Sequence, residues 1–360
     1  MATIHLFGKK RLFIVTGLFF LLIVSLTIGI RCTQTGSGIF GHDQLARSFR
    51  NPPDTARPGV YWYFMDGNLS KEGMTQDLES MKEAGIGRVI FLEVNVGVPR
   101  GSIDFLSGQW QDLFQHALSE AERLGIELIM GVGPGWTGSG GPWVPAKESM
   151  RHLVVSSENV KGPGKCNIEL SKPAPRRPFF GEGTLTPKLR KQWNDYYEDV
   201  IALAFPTPDI KQRISDIDEK ALYYRAPFSS REGVKPYLPA PADWPEVPAE
   251  AAVAQEKVVN VSQYMEPDGS FSWDVPEGEW TIMRFGMRNN GAVTRPAPKP
   301  GLGFECDKFS QATFDHHFDA YLKKLIRQAD PGEKTDHKGW TRLHMDSWDM
   351  GAQNWTDGFR

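Results

Sequence analysis

Several short apolar runs in this chain end in carboxylates, amides or indole rings. Asp66 and Asn68 follow "VYWYFM", and Glu93 and Asn95 close "GRVIFLEV". "IELIM" leads into "GVGPGWTGSGGPW", which carries Trp136 and Trp143. Arg288, Asn289 and Asn290 end "EWTIMRFGMR", followed by "GLGFECDKFS" with Glu305, Asp307 and Lys308. "TRLHMDSWD" finishes with Asp346 and Asp349 on either side of Trp348. Carboxylates can donate and abstract protons, amides can bond hydroxyls, and indole rings can stack on a sugar face. If the runs are parallel strands, these groups share one end of the sheet, where chemistry in such folds collects.

The glycine-rich stretch also reads literally as a dinucleotide fingerprint, Gly133-x-Gly135-x-x-Gly138, with Glu158 twenty positions later. That chemistry needs the last glycine to open an uninterrupted helix whose N-terminus faces phosphate. Gly140, Gly141, Pro142 and Pro145 forbid a helix there, and Pro134 removes an N–H from the motif. A stiff, Trp-bearing loop is the better expectation. No Cys–His or HExxH spacing suggests zinc, and no serine sits in a G-x-S-x-G elbow. The adjacent His316 and His317 point about 100° apart on a helix, so they cannot chelate as a pair and read as solvated.

Positioning these groups requires a regular alternation of strand and helix. After the strand at 60–66, Ser70 caps a helix with Met74, Leu78 and Met81 on one face, and Gly85 stops it. After the strand at 87–94, Ser107 caps a second helix with Leu113, Phe114, Ala117, Leu118, Ala121 and Leu124 inward, ended by Gly125. The strand at 126–132 follows. Strand–helix–strand–helix–strand implies a parallel sheet. Residues 49–154 therefore read as the first βα units of a barrel, and 155–275, crowded with prolines and turn signals, as a β-rich insertion. In the latter, Pro267-Asp268-Gly269 and Pro276-Glu277-Gly278 flank "SFSWDV" as hairpin material. Residues 276–360 read as barrel continuation, with strands at 279–288 and 341–349 and a helix at about 310–329.

At the N-terminus, Lys9-Lys10-Arg11 precede a run without charge from Leu12 to Ile30. This is the pattern of an export signal, and 19 residues also suffice for a membrane anchor. Residues 1–32 are thus expected to export the chain to the periplasm or anchor it to the membrane, with Cys32 a candidate lipid-attachment site. Residues 33–48 read as a linker. The net charge of −3 becomes −7 without those 32 residues, which carry four basic side chains and no acid, and this argues against a nucleic-acid partner. Cys166 and Cys306 read as two buried free thiols rather than a disulfide framework.

Four blocks, "NPPDTARPGVYWYFMDGNLSKEGMTQDLESMKEAGIGRVIF", "GVGPGWTGSGGPWV", "GLGFECDKFS" and "HMDSWDMGAQNWTDGF", resemble glycoside hydrolase family 106, the α-L-rhamnosidases. The resemblance runs from about residue 49 to the end. It implies a (β/α)8 TIM-type barrel that removes terminal α-L-rhamnose from glycans with inversion, assisted by calcium whose ligands are not specified. It also implies that Asp349 occupies the place of a general acid that is usually Glu in the family, with Asp346 beside it in the catalytic segment. Asp sets its carboxyl back by about 1.5 Å, a displacement that can cost about 100-fold in rate. Their position at the strand ends makes Asp66, Asn68, Glu93, Trp136, Trp143, Glu305, Asp307, Lys308 and Trp348 the expected substrate-binding set. The barrel expected from the five strands of this α/β chain is incomplete, with its base on a later strand. A second reading is a truncated, inactive, membrane-tethered remnant that at most binds carbohydrate.

Overall fold

The computed structural model describes residues 42–178, 181–210, 248–329, 340–346, 348, 351 and 353–359. The export segment, Cys32, residues 33–41 and Asp349 lie outside the described residues. Residues His42–Arg50, which overlap the end of the expected linker, form helix α1. The remainder from Pro58 is a separate compact unit.

That unit holds two sheets. The first is parallel, in the order β1 (Gly59–Met65), β2 (Arg88–Val94), β3 (Glu127–Gly131), β8 (Trp340–His344). Helices α2 (Lys71–Glu83) and α3 (Gly108–Leu124) make the crossovers between its first three strands. Their ends obey local chemistry. The hydroxyls of Ser70 and Ser107 accept the Gly73 and Trp110 N–H groups, and Gly125 takes the left-handed conformation at φ 63°.

Alternation along the strands sorts side chains between two faces. Trp62, Phe64, Val89, Phe91, Leu128 and Met130 face the helices and form the main core with Leu78, Trp110, Phe114 and Ala117. Phe91 is central there, its ring 4.7 Å from Phe64, 5.7 Å from Trp62, 5.8 Å from Trp110 and 5.4 Å from Phe114. Helices α5 (Gln311–Ala320) and α6 (Leu322–Ala329) add Tyr321, Leu322 and Leu325 to this core. The chain breaks between them at Tyr321, where one helix was expected.

The opposite face is concave. Strands β1 and β8 are three positions apart, about 14 Å in a flat sheet. Yet the rings of Tyr61 on β1 and His344 on β8 meet edge-on at 5.7 Å. The sheet therefore curls.

The second sheet is antiparallel, in the order β4 (Arg151–Glu169), β7 (Ser270–Asn289), β5 (Glu198–Pro206), β6 (Val259–Asn260). It corrects the sequence reading of 279–288. That segment is the second half of β7 and pairs with β4 and β5, so it contributes no strand to the parallel sheet. An alternating strand fits either sheet by pattern, and pairing decided which. Pro267-Asp268-Gly269 does make a hairpin turn, with Glu266 and Ser270 bonded across it. Pro276-Glu277-Gly278 does not turn the chain; it sits where the β4–β7 register slips opposite Gly162 and Gly164. Arg284 crosses this module, binding both oxygens of Asp199 at 2.7 Å. Helix α4 (Pro187–Asp195) packs Leu189 and Trp193 against Val144, Val293 and Phe304, joining the module to the loops that follow the parallel strands.

Phe91 is fully buried among four rings, so Phe91→Ala is expected to cost about 3–5 kcal/mol. Urea denaturation followed by far-UV circular dichroism checks it through a lowered midpoint.

Candidate functional site

Residues of the parallel strands and of the loops that follow them meet on the concave face. Tyr61 and Tyr63 alternate with Trp62 and Phe64 and so leave the helix core for this side; their rings stack at 5.3 Å. Trp136, from the loop after β3, meets Tyr63 edge-on at 6.1 Å and is 36% exposed. His344 closes the row, with Nε2 3.6 Å from the Asp346 carboxylate. Burial raises the Tyr63 pKa, with further contributions from Tyr61 and the charge of Asp346, placing that carboxylate beside the same rings. The site is an aromatic shelf with a carboxylate and an imidazole at its edge. Tyr61, Tyr63 and His344 were missed by sequence reasoning. Their signal lay in the period of two, which puts them opposite the core-forming Trp62 and Phe64.

The loop from Gly131 to Trp143 is fixed from several sides. Its Gly135 N–H donates to the Glu93 carbonyl at 3.0 Å, Trp136 N–H to Arg295 at 3.3 Å, and Gly141 N–H to Phe304 at 3.0 Å. Gly135 has φ +77°, and a Cβ there would lie 2.8 Å from Arg295 backbone, so glycine is required twice over. The two tryptophans part company. Trp136 lies on the shelf, whereas Trp143 stacks on Tyr321 at 5.7 Å and donates to His317 Nδ1 at 3.0 Å. Trp143 therefore packs inside the loop instead of reaching the shelf. His317 corrects the reading of a solvated histidine: it is fully buried and bonded at both nitrogens.

Glu93 is also placed differently from the expectation. It shares the face of Phe91 and lies between sheet and helix, accepting Trp110 Nε1–H at 2.6 Å and Gly67 N–H at 2.9 Å. Burial pushes its carboxyl up to about 7, while those two donors act downward. Asp66, at φ 40°, turns the chain there and accepts Lys299 N–H at 3.4 Å, with Arg100 Nε 3.9 Å away. Asn68 spends its amide on the Met65 and Pro99 carbonyls. These three organise the turn after β1.

Beyond the shelf, the segment with Glu305, Asp307 and Lys308 packs on the Trp136 loop. Lys308 pairs with Glu305, donates to Ser139 Oγ at 3.0 Å and lies 5.8 Å from the Trp348 ring. Gly138 of the loop faces the Asp346 backbone, which brings Asp346 and Trp348 to the same rim. Asp307 is fully buried and engaged by Arg151 at 2.7 Å, Thr356 at 2.6 Å, Phe309 N–H at 3.0 Å and Gln353. It is a structural knot. Arg288 donates to the distant Pro173 and Asn194 carbonyls, whereas Asn289 and Asn290 accept the N–H groups of Gly291 and Ala292. Cys166 and Cys306 are free, Cys306 buried and Cys166 half-buried.

A family model described as alpha-L-rhamnosidase matches residues 50–360. The chain belongs to glycoside hydrolase family 106. A Formosa agariphila protein named "Putative beta-glucuronidase" is 33% identical over 318 residues, covering 88% of this chain and 25% of that protein. The structure of a rhamnosidase from Novosphingobium sp. PP1Y superposes with a TM-score of 0.65 at 22% identity, over 87% of this chain and 40% of that one. That likeness shows a shared mixed α/β fold. The chain thus spans about a quarter of its curated relative and two fifths of the solved rhamnosidase.

The resemblance to family 106 implies a calcium ion at the sugar site. Calcium takes six to eight oxygens. Among the described residues no three His, Cys, Asp or Glu side chains converge as a metal site. Glu93, Glu305 and Asp307 are already bonded by protein donors. The described residues do not fit the ion, and no step is assigned to it. Nor is any helix among them long and apolar enough to cross a membrane.

Two outcomes test this architecture. Asp307→Ala, which strands a buried Arg151, is expected to cost about 3–5 kcal/mol in urea denaturation. The pH dependence has opposite signs for two buried groups. His317, lowered to about 4 mainly by burial with Lys308 and His316 adding, contributes stability above 6.5 that is lost as pH falls through 4. Glu93, raised to about 7, contributes stability below 4.5 that is lost as pH rises through 7. Thermal midpoints of Glu93→Gln relative to wild type should therefore rise between pH 4.5 and 7.

Proposed function

We propose that this chain belongs to an exported α-L-rhamnosidase that removes terminal rhamnose from rhamnose-bearing polysaccharides by inversion. Its curled parallel sheet is read as part of a (β/α)8 barrel. The observation that carries the reading is the shelf of Tyr61, Tyr63 and Trp136, with Asp346 at its rim, on the concave face of the parallel sheet. The C–H faces of a deoxy sugar suit such rings, while its hydroxyls suit a carboxylate. Inversion uses an acid that protonates the leaving oxygen and a base that takes a proton from water attacking the opposite face, about 6.5–9.5 Å apart. Asp349 is assigned the acid by family resemblance, and Asp346 orients the sugar hydroxyls. Export and membrane attachment rest on the basic and apolar N-terminal residues.

The test is titration of the chain with L-rhamnose followed by tryptophan fluorescence. Loss of one stacked ring should weaken binding about tenfold in Trp136→Ala. Equal affinity in wild type, Trp136→Ala and Tyr63→Ala would sink the shelf as the sugar site. Release of 4-nitrophenol from the α-L-rhamnoside and not the β-D-glucuronide is the expected activity of the enzyme, and the reverse preference would replace the substrate.

A further inference from the structure

Helix α5 reaches the Trp136 loop through one buried side chain that has no part in the proposed chemistry. The His317 ring lies against Trp143 at 5.7 Å, Tyr321 at 6.0 Å and Phe314 at 5.7 Å. Its Nδ1 faces two donors, Trp143 Nε1–H at 3.0 Å and Gly140 N–H at 3.3 Å. Two donors require a lone pair at Nδ1, so the proton of the neutral ring sits on Nε2. Nε2–H then donates to the Val132 carbonyl at 2.7 Å. Burial lowers its pKa to about 4, which keeps the ring in this neutral form near neutrality.

These contacts are 174–185 positions away in sequence, and they join the start of the loop to its end. Val132 precedes Trp136 by four residues and Gly140 follows it by four. Between them lie Gly133, Gly135 and Gly138, a backbone with little stiffness of its own. The loop backbone is also anchored by main-chain bonds at Glu93, Arg295, Phe304 and His344. Lys308 adds a side-chain bond, to Ser139 alone.

We propose that His317 is a positioning residue: a neutral, Nε2-protonated staple that ties Val132 to Gly140 and Trp143 and so holds Trp136 against Tyr63. It acts on the sugar through Trp136, and in that respect it rests on the carbohydrate reading above. Its effect on the loop does not.

The test uses the whole chain with His317→Phe, which keeps the ring stack without the nitrogens, and His317→Asn, which restores an acceptor near the Nδ1 position. Trp143→Phe removes one donor while leaving His317 intact and guards against misfolding of the first variant. Hydrogen exchange of the Gly138–Trp143 segment and L-rhamnose titration are the readouts. His317→Phe should speed exchange of the Gly140 amide about tenfold and weaken rhamnose binding about tenfold. His317→Asn should recover most of the loop protection, and Trp143→Phe should fall between. Unchanged Gly140 exchange in both His317→Phe and Trp143→Phe overturns the staple. A loosened loop with undiminished rhamnose affinity overturns its positioning role. Wild-type chain that binds no rhamnose overturns the carbohydrate reading, and the exchange data still decide the staple.

Discussion

The constraint on which the site depends is the alternation of the parallel sheet around Phe91. That ring draws Trp62, Phe64, Trp110 and Phe114 to the helix side. Once Trp62 and Phe64 are committed there, Tyr61 and Tyr63 must face the other way, because successive strand side chains alternate. Curl then carries His344 across to Tyr61. A register slip of one residue in β1 would send the tyrosines into the core and the shelf would vanish.

The same constraint explains why a carboxylate can be buried beside a site without facing it. Glu93 follows Phe91 by two, so it points to the helix layer. There it meets Trp110 and Gly67 rather than solvent. Its main chain, in contrast, holds Gly135 of the Trp136 loop. One residue thus links the turn after β1 to the loop after β3. The rim groups act similarly: Asp307 closes the chain around Arg151, leaving Asp346 and Trp348 nearer the surface.

Much of the local structure was legible because local chemistry decides it. The serine caps at 70 and 107 and the glycine stop at 125 were read from residue type and recur in the structure. The prolines and glycines after Gly138 rightly excluded a phosphate-binding helix, since backbone restrictions act within a few residues. The segment 279–288 was misassigned because its alternation is equally compatible with either sheet. Its partners lie more than seventy positions away on β5 and more than a hundred on β4. His317 was misread for a related reason, while its neighbour His316 is exposed as expected: nothing local distinguishes a buried ring from a solvated one.

By itself, the sequence determined the strand–helix rhythm up to β3, the exclusion of a helix from the glycine–proline loop, and membership of the rhamnosidase family. These follow from capping, periodicity and motif order, which operate along the chain. Only the tertiary structure decided that Trp136 lies on the shelf while Trp143 packs beneath it. It also decided that Glu93 and Asp307 are buried against protein donors and that Tyr61, Tyr63 and His344 share a face. Those outcomes depend on which side chains fill a core first and which strands curl toward each other. Such contacts join residues far apart in the chain, and no local pattern encodes them.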